Sequence, residues 1–115
     1  MTTKLAKRVS NICKEYANEY DSGMAGFIED LHRGGCVSGL IGQLTYYADT
    51  VAFYNKFEDD IWQLVWDEAI ASNSNTIMEF IASLNGASDV NSGEQFKNLL
   101  AWFAFEETAF SLFDD

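Results

Sequence analysis

Proline is absent from all 115 residues of this chain. Inside a helix, proline removes a hydrogen bond and clashes with the preceding turn, so a chain without it meets no forced helix break. Apolar residues recur at the matching period. Leu5, Val9, Ile12, Cys13, Tyr16 and Tyr20 form one stripe at helical spacing, which predicts a helix over about Thr3 to Tyr20. Thr2 or Thr3 can cap it. No segment alternates as a strand would, so the chain reads as all-α.

The remaining breaks divide the chain into further helices. Asp21-Ser22-Gly23 interrupts the pattern, and Ser22 is placed to cap a short helix with Phe27, Ile28 and Leu31 inward. Gly34-Gly35 stops it. Cys36 to Ala48 carries Gly39 and Gly42 among Val37, Leu40, Ile41 and Leu44. Glycine inside a helix costs about 1 kcal/mol against alanine, so this glycine face predicts close packing and a central position for Val37 to Ala48. Asp49-Thr50 opens the next helical stretch, which runs to about Ala71 with a break near Asn55-Lys56. If the chain breaks there, Glu58-Asp59-Asp60 occupies a helix N-terminus, where negative charge is favourable. Thr76-x-x-Glu79 and Ser92-x-x-Gln95 are capping boxes that open the last two helices. The first holds Ile77, Phe80, Ile81 and Leu84. The second holds Phe96, Leu99, Leu100, Phe103, Phe110 and Phe113, and is expected to be largely buried. The expected architecture is a compact single-domain bundle of five to six helices over residues 1–115.

Charge is unevenly placed. Net charge is −11, yet Lys4, Lys7, Arg8 and Lys14 fall in the first fourteen positions. From Glu15 onward, eighteen acidic residues face three basic ones, leaving that body at −15. Such a body repels phosphates, which argues against direct binding to nucleic acid or to an anionic membrane and favours a basic partner or simple solubility. No run approaches the roughly 18 apolar residues of a membrane span. The basic amphipathic start is unlike a secretory signal, and two cysteines make no disulfide framework, so the expected compartment is the cytoplasm with reduced thiols.

Catalytic and metal chemistry find little support. His32 is the sole histidine and lies four residues before Cys36, a pairing that could activate a thiol. No third orienting group accompanies it, so both read as structural. One histidine and two cysteines do not make a zinc or di-iron ligand set. Glu58-Asp59-Asp60 lacks the glycine turn of a calcium loop, and no phosphate loop occurs. Glu106 falls between Phe103 and Phe110 on a helix that is apolar nearly all round, which predicts a partly buried carboxylate. That carboxylate is either paired structurally or poised as a base. No catalytic residue, metal or cofactor is expected.

The aromatic surplus points elsewhere. Phe53, Tyr54, Phe57, Trp62, Trp66, Trp102 and Phe105 are too many to face one small core, so some should be exposed for a partner or for self-association. Two stretches carry a resemblance. One is Gly35-Cys36-Val37-Ser38-Gly39 through Tyr46-Tyr47-Ala48-Asp49-Thr50 to Phe53-Tyr54 and Asp60-Ile61; the other runs from Leu100-Ala101-Trp102 through Phe105-Glu106-Glu107 to Thr108-Ala109. Together, over less than half of the chain, they resemble a family of small acidic helical proteins of bacteriophages and other mobile elements. In size and acidity the chain is also similar to anti-CRISPR and antirestriction proteins. The resemblance implies a host-cell context and carries no functional residue with it.

These features lead to one expectation and one alternative. The first is an acidic inhibitor encoded by a mobile element, binding a host defence protein of the CRISPR or restriction kind through its basic nucleic-acid channel, in the manner of DNA. Its contacts would be Glu58, Asp59, Asp60, Asp67, Glu68 and Asp89, with Trp62 and Trp66 as anchors. The alternative is a helical adaptor or homo-oligomeric protein without enzymatic activity, for which a homodimer is the simplest form.

Overall fold

The computed structural model describes residues 3–33 and 50–113. The glycine-lined segment from Val37 to Ala48, Cys36 and the Gly34-Gly35 stop lie outside the described residues. Within them the fold is all-α: six α-helices, one 3-10 turn and no strand. The residues group into two compact units, one of 1–49 with 105–115 and one of 50–104.

In the first unit, α1 (Lys4–Ala17) starts where Thr3 Oγ1 accepts a hydrogen bond from the Ala6 amide at 3.0 Å. That bond satisfies one of the four amides a helix start leaves open. Of the expected stripe, Leu5, Val9, Ile12 and Cys13 are buried while Tyr16 and Tyr20 are half-buried, and Ala17 joins the buried face. The helix stops at Ala17, one turn short of Tyr20. α2 (Met24–His32) begins differently from the sequence expectation. Gly23, at φ 63°, is the residue before its first turn, and no side chain caps it, so Ser22 is not the cap. The left-handed backbone at this position needs glycine and completes the reversal by itself.

Aromatic edges hold α2 in place. Phe27 is fully buried, and the rings of Tyr16, Tyr20 and Phe113 meet it edge-on at 6.1, 6.2 and 5.6 Å. Edge-on pairs set the positive rim of one ring against the negative face of another. The Tyr20 hydroxyl donates to Asp30 Oδ2 at 2.9 Å, which gives the polar end of that ring a partner. Phe113 belongs to α6 (Gly93–Phe113), whose residues from Phe105 onward lie in this unit. Phe105, Thr108 and Ala109 are its buried positions here.

In the second unit, α3 (Thr50–Lys56) and α4 (Glu58–Ala71) are separated by a single residue, Phe57, at φ −114° and ψ 23°. The break falls one residue beyond Lys56, close to its expected place. Phe57 is buried and packs on Phe53 at 5.0 Å, so the kink keeps both rings inside. Glu58, Asp59 and Asp60 then fill the first turn of α4, where the helix dipole favours them. The hydroxyl half of each capping box forms. Thr76 Oγ1 accepts from Glu79 N at 3.0 Å and starts α5 (Ile77–Ala82). Ser92 Oγ accepts from Gln95 N at 3.2 Å before α6, while Gln95 Oε1 reaches back to the Asn91 amide at 2.7 Å. The core of this unit joins Phe53, Ile61 and Val65 to Phe80, Ile81, Leu100 and Ala104.

Gly86 turns the chain into the 3-10 segment Ala87–Asp89 with φ 92°. A β-carbon there would meet only Leu99 Cδ1, at 4.0 Å, so space is not the constraint. Gly86→Ala is expected to cost about 1–2 kcal/mol through backbone strain alone. The midpoint of urea unfolding checks this, and an unchanged midpoint would mean the turn relaxes to a right-handed form.

The last helix is buried along one face and not all round. Leu100, Ala101, Ala104, Phe105, Thr108 and Ala109 are buried, while Trp102, Glu106 and Leu112 are exposed. At about 100° per residue, Glu106 falls opposite the middle of the buried stripe. The expectation of a partly buried Glu106 carboxylate is therefore corrected. Its flanking Phe103 and Phe110 are only half-buried, so they do not enclose it.

Candidate acidic and aromatic docking face

α4 gathers seven of the eight residues that the sequence marked for partner binding. Ile61, Val65 and Ala69 recur every four residues and form its buried edge. A residue one position after each of them sits about 100° further round. That is where Trp62, Trp66 and Ile70 begin their own row, and the row climbs out of the core. Trp62 is half-buried, Trp66 is 54% exposed and Ile70 is 69% exposed.

Trp62 is held inward. Its indole Nε1 donates to the Tyr54 hydroxyl at 2.8 Å, and its ring lies 6.3 Å from Phe96. Tyr54 is buried, and Lys97 Nζ sits 5.7 Å from its ring centre while donating to Asn55 Oδ1 at 3.1 Å. Trp62 thus ties α4 to α3 and α6 within this unit. Trp66 is the tryptophan of α4 that faces solvent.

The charged residues of α4 divide between two sides. Asp59 and Asp67 are exposed and share the outward side with Gln63, Trp66 and Ile70. Gln63 Nε2 donates to Asp67 Oδ1 at 3.0 Å and fixes that carboxylate on the helix surface. Asp60 and Glu68 are half-buried on the other flank, beside Leu64, and Glu58 is exposed at the helix start. Asp89 stands apart from α4, exposed on the 3-10 turn. No cationic side chain forms a salt bridge with Glu58, Asp59, Asp67, Glu68 or Asp89 among the described residues.

The sequence reading passed over two outward apolar residues. Ile70 completes the row of Trp62 and Trp66, which lies beside the buried row of Ile61, Val65 and Ala69. Met78, on α5, is 63% exposed. Isolated exposed apolar side chains are ordinary, but a tryptophan and an isoleucine one turn apart on a charged helix face form a patch.

Of the His32 and Cys36 pair, only His32 lies among the described residues. His32 is exposed at the end of α2, and its Nε2–H donates to the Phe113 carbonyl at 2.9 Å, closing the end of α6 onto α2. Arg33 and Glu29 form an exposed pair one turn apart on the surface. Cys13 is buried in the stripe of α1. No group of three His, Cys, Asp or Glu side chains able to hold a metal ion occurs among the described residues. No described helix is long and apolar enough to cross a membrane.

The sequence model of a domain of unknown function, DUF7222, matches residues 2–115. No curated protein and no solved structure matches the chain.

Proposed function

The chain belongs to the DUF7222 family, and from that premise we propose that it is a binding protein without catalytic activity, docking the outward face of α4 on a basic surface of another protein. The observation that carries this reading is the exposure of Trp66 and Ile70 between the carboxylates of Asp59 and Asp67. Apolar anchors supply most binding energy at an interface once water is excluded from them. Charges around the anchors steer encounter and reject partners of like sign. The acid excess of the body extends that steering well beyond the helix.

The partner class that fits is a protein with a basic nucleic-acid channel. A host defence complex of the CRISPR or restriction kind is the instance the sequence resemblance favours, with the protein acting as its inhibitor. Such a channel attracts Asp59, Asp67 and Glu58 as it attracts phosphates, while Trp66 gives a contact that phosphates cannot. Affinity capture from a bacterial host lysate tests this reading, with washes at about 0.1 M and 0.5 M salt, where screening lengths differ about twofold. Recovery of a nucleic-acid-binding complex, much reduced at high salt and competed by nucleic acid, is expected. Salt-insensitive recovery of a protein without a basic surface would overturn the mimicry.

A second reading is favoured by the exposed Trp66, Ile70 and Met78: a helical adaptor that pairs with a second copy of itself. It predicts a defined oligomer at low micromolar concentration, little affected by salt. A monomer by light scattering at that concentration would remove it.

A further inference from the structure

Within the second unit, the turn before α6 and the first half of α6 line an open cleft of about 350 Å³. That size is at the lower end of small-molecule sites, right for a molecule no larger than an amino acid derivative. Val90 and Leu99 supply apolar wall, and Trp102, 40% exposed, supplies an aromatic face. The polar lining comes from Asn85, Asp89, Asn98 and Gln95, with no lysine, arginine or histidine among the lining residues.

The polar groups of this cleft are short of donors. The Asp89 carboxylate has no hydrogen-bond or salt-bridge partner among the described residues. Asn98 Oδ1 is buried and accepts no hydrogen bond. An unsatisfied buried acceptor is uncommon in a folded protein and calls for an explanation. Turning the Asn98 amide toward the cleft sacrifices no bond of its oxygen, so a ligand carrying N–H groups can take up what folding leaves open.

We propose that this cleft binds a guanidinium group, presented by a small free molecule or by an arginine side chain of a protein partner. Guanidinium offers five N–H donors in one plane and no acceptor, which matches the two unpaired acceptors, the Asp89 carboxylate and Asn98 Oδ1. It is weakly hydrated and stacks on an indole, which matches Trp102 beside Asp89. An ammonium group meets the charge of Asp89 but is strongly hydrated and cannot lie flat on the ring. An anion meets amide N–H groups of Asn85, Gln95 and Asn98 but no cationic side chain, and the Asp89 carboxylate repels it. No residue is shared with the α4 face, so this site stands or fails independently of the docking reading.

The test is a titration of the intact ¹⁵N-labelled chain, followed by NMR, with N-acetyl-arginine amide, N-acetyl-lysine amide and the uncharged isostere N-acetyl-citrulline amide. Saturable shifts of the Trp102 indole N–H and the Asn98 side-chain amide are expected with the arginine compound, at a Kd of about 1 mM, a value typical of one small group. The lysine compound should bind at least about fivefold more weakly, and citrulline should not saturate. Asp89→Asn, at an exposed position, should weaken arginine binding about tenfold with the fold intact. Asp59→Asn on α4 should leave it unchanged. Tighter binding of free arginine than of the blocked amide identifies a free molecule as the source. Tighter binding of a Gly-Arg-Gly peptide identifies a protein side chain. Equal affinity for arginine and lysine, an unaffected Asp89→Asn variant, or no saturable shift at Trp102 and Asn98 would overturn the proposal.

Discussion

Replacing Phe27 with alanine is expected to destabilise the protein by about 4 kcal/mol, the usual cost of emptying a buried aromatic site. Phe27 has no exposed surface, and three other rings meet its edges and face. Removing it takes away the transfer energy of the ring and the pairwise ring terms together, and leaves a void that stiff neighbours cannot fill. Tyr20 is held at its far end by Asp30. Phe113 is the residue whose carbonyl receives the His32 hydrogen bond. The Tyr20 ring cannot collapse inward without giving up its Asp30 bond, and the His32 bond holds the Phe113 backbone in place. Against a total stability of about 5–15 kcal/mol, a loss of this size leaves the chain close to unfolding. Urea unfolding checks it: for a slope of about 2 kcal/mol per molar, the midpoint should fall by about 2 M. Phe27→Leu keeps most of the volume and should cost only about 1–1.5 kcal/mol. An alanine variant that loses less than about 1 kcal/mol would mean that the ring cluster is not the core of its unit.

The cluster also shows what could be read in advance. The stripe of Leu5, Val9, Ile12 and Cys13, and the inward Phe27 and Leu31, follow from a 3.6-residue period, because a helix on a core has little choice of face. The caps Thr76 and Ser92 were equally legible, and Thr3 was one of two candidates with Thr2, since each depends only on residues three positions apart. The break expected near Asn55-Lys56 falls at Phe57, and the acidic run then occupies the first turn of α4 as it would after any such break. The errors have a different origin. Ser22 and Gly23 both suit a helix start, and the choice between a side-chain cap and a left-handed turn is made by the path of the chain. Glu106 sits in a run of aromatics that allows two wheels, and only the contacts of Leu100, Ala104 and Thr108 select one.

The candidate face was marked by residue type, and its direction was hidden. The acids and tryptophans of α4 were marked by type, yet Trp62 and Trp66 differ by one helical turn and have opposite surroundings. Trp62 finds the Tyr54 hydroxyl and the Phe96 ring, both brought by other helices, and no local rule reveals such partners. Ile70 is apolar by type, and only its 69% exposure shows that it faces outward. Asn98 and Asp89 become neighbours of one cleft only when the turn at Gly86 brings the 3-10 segment against α6.

The α4 face yields the second large effect. The variant Asp59→Asn/Trp66→Ala/Asp67→Asn is expected to bind the captured partner at least about 100-fold more weakly, chiefly because a central tryptophan is worth about 2–4 kcal/mol at an interface. The parts of that loss are separable by kinetics. Trp66→Ala alone should raise the dissociation rate and leave the salt dependence in place. Asp59→Asn/Asp67→Asn should lower the association rate and flatten the salt dependence, because rim charges act on encounter. The fold tolerates these changes: Trp66, Asp59 and Asp67 are exposed, and asparagine at 67 still accepts the Gln63 bond. Stability should therefore move by no more than about 1 kcal/mol, mostly from the lost charge of Asp59 in the first turn. Trp62→Phe supplies the contrast. It breaks the Tyr54 bond inside the unit, so it should lower stability by about 1 kcal/mol with little effect on the partner. If Trp62→Phe weakened the complex as much as Trp66→Ala, the partner would be reading the packing of the α3–α4 corner. The outward row of α4 would then be only a solvated surface.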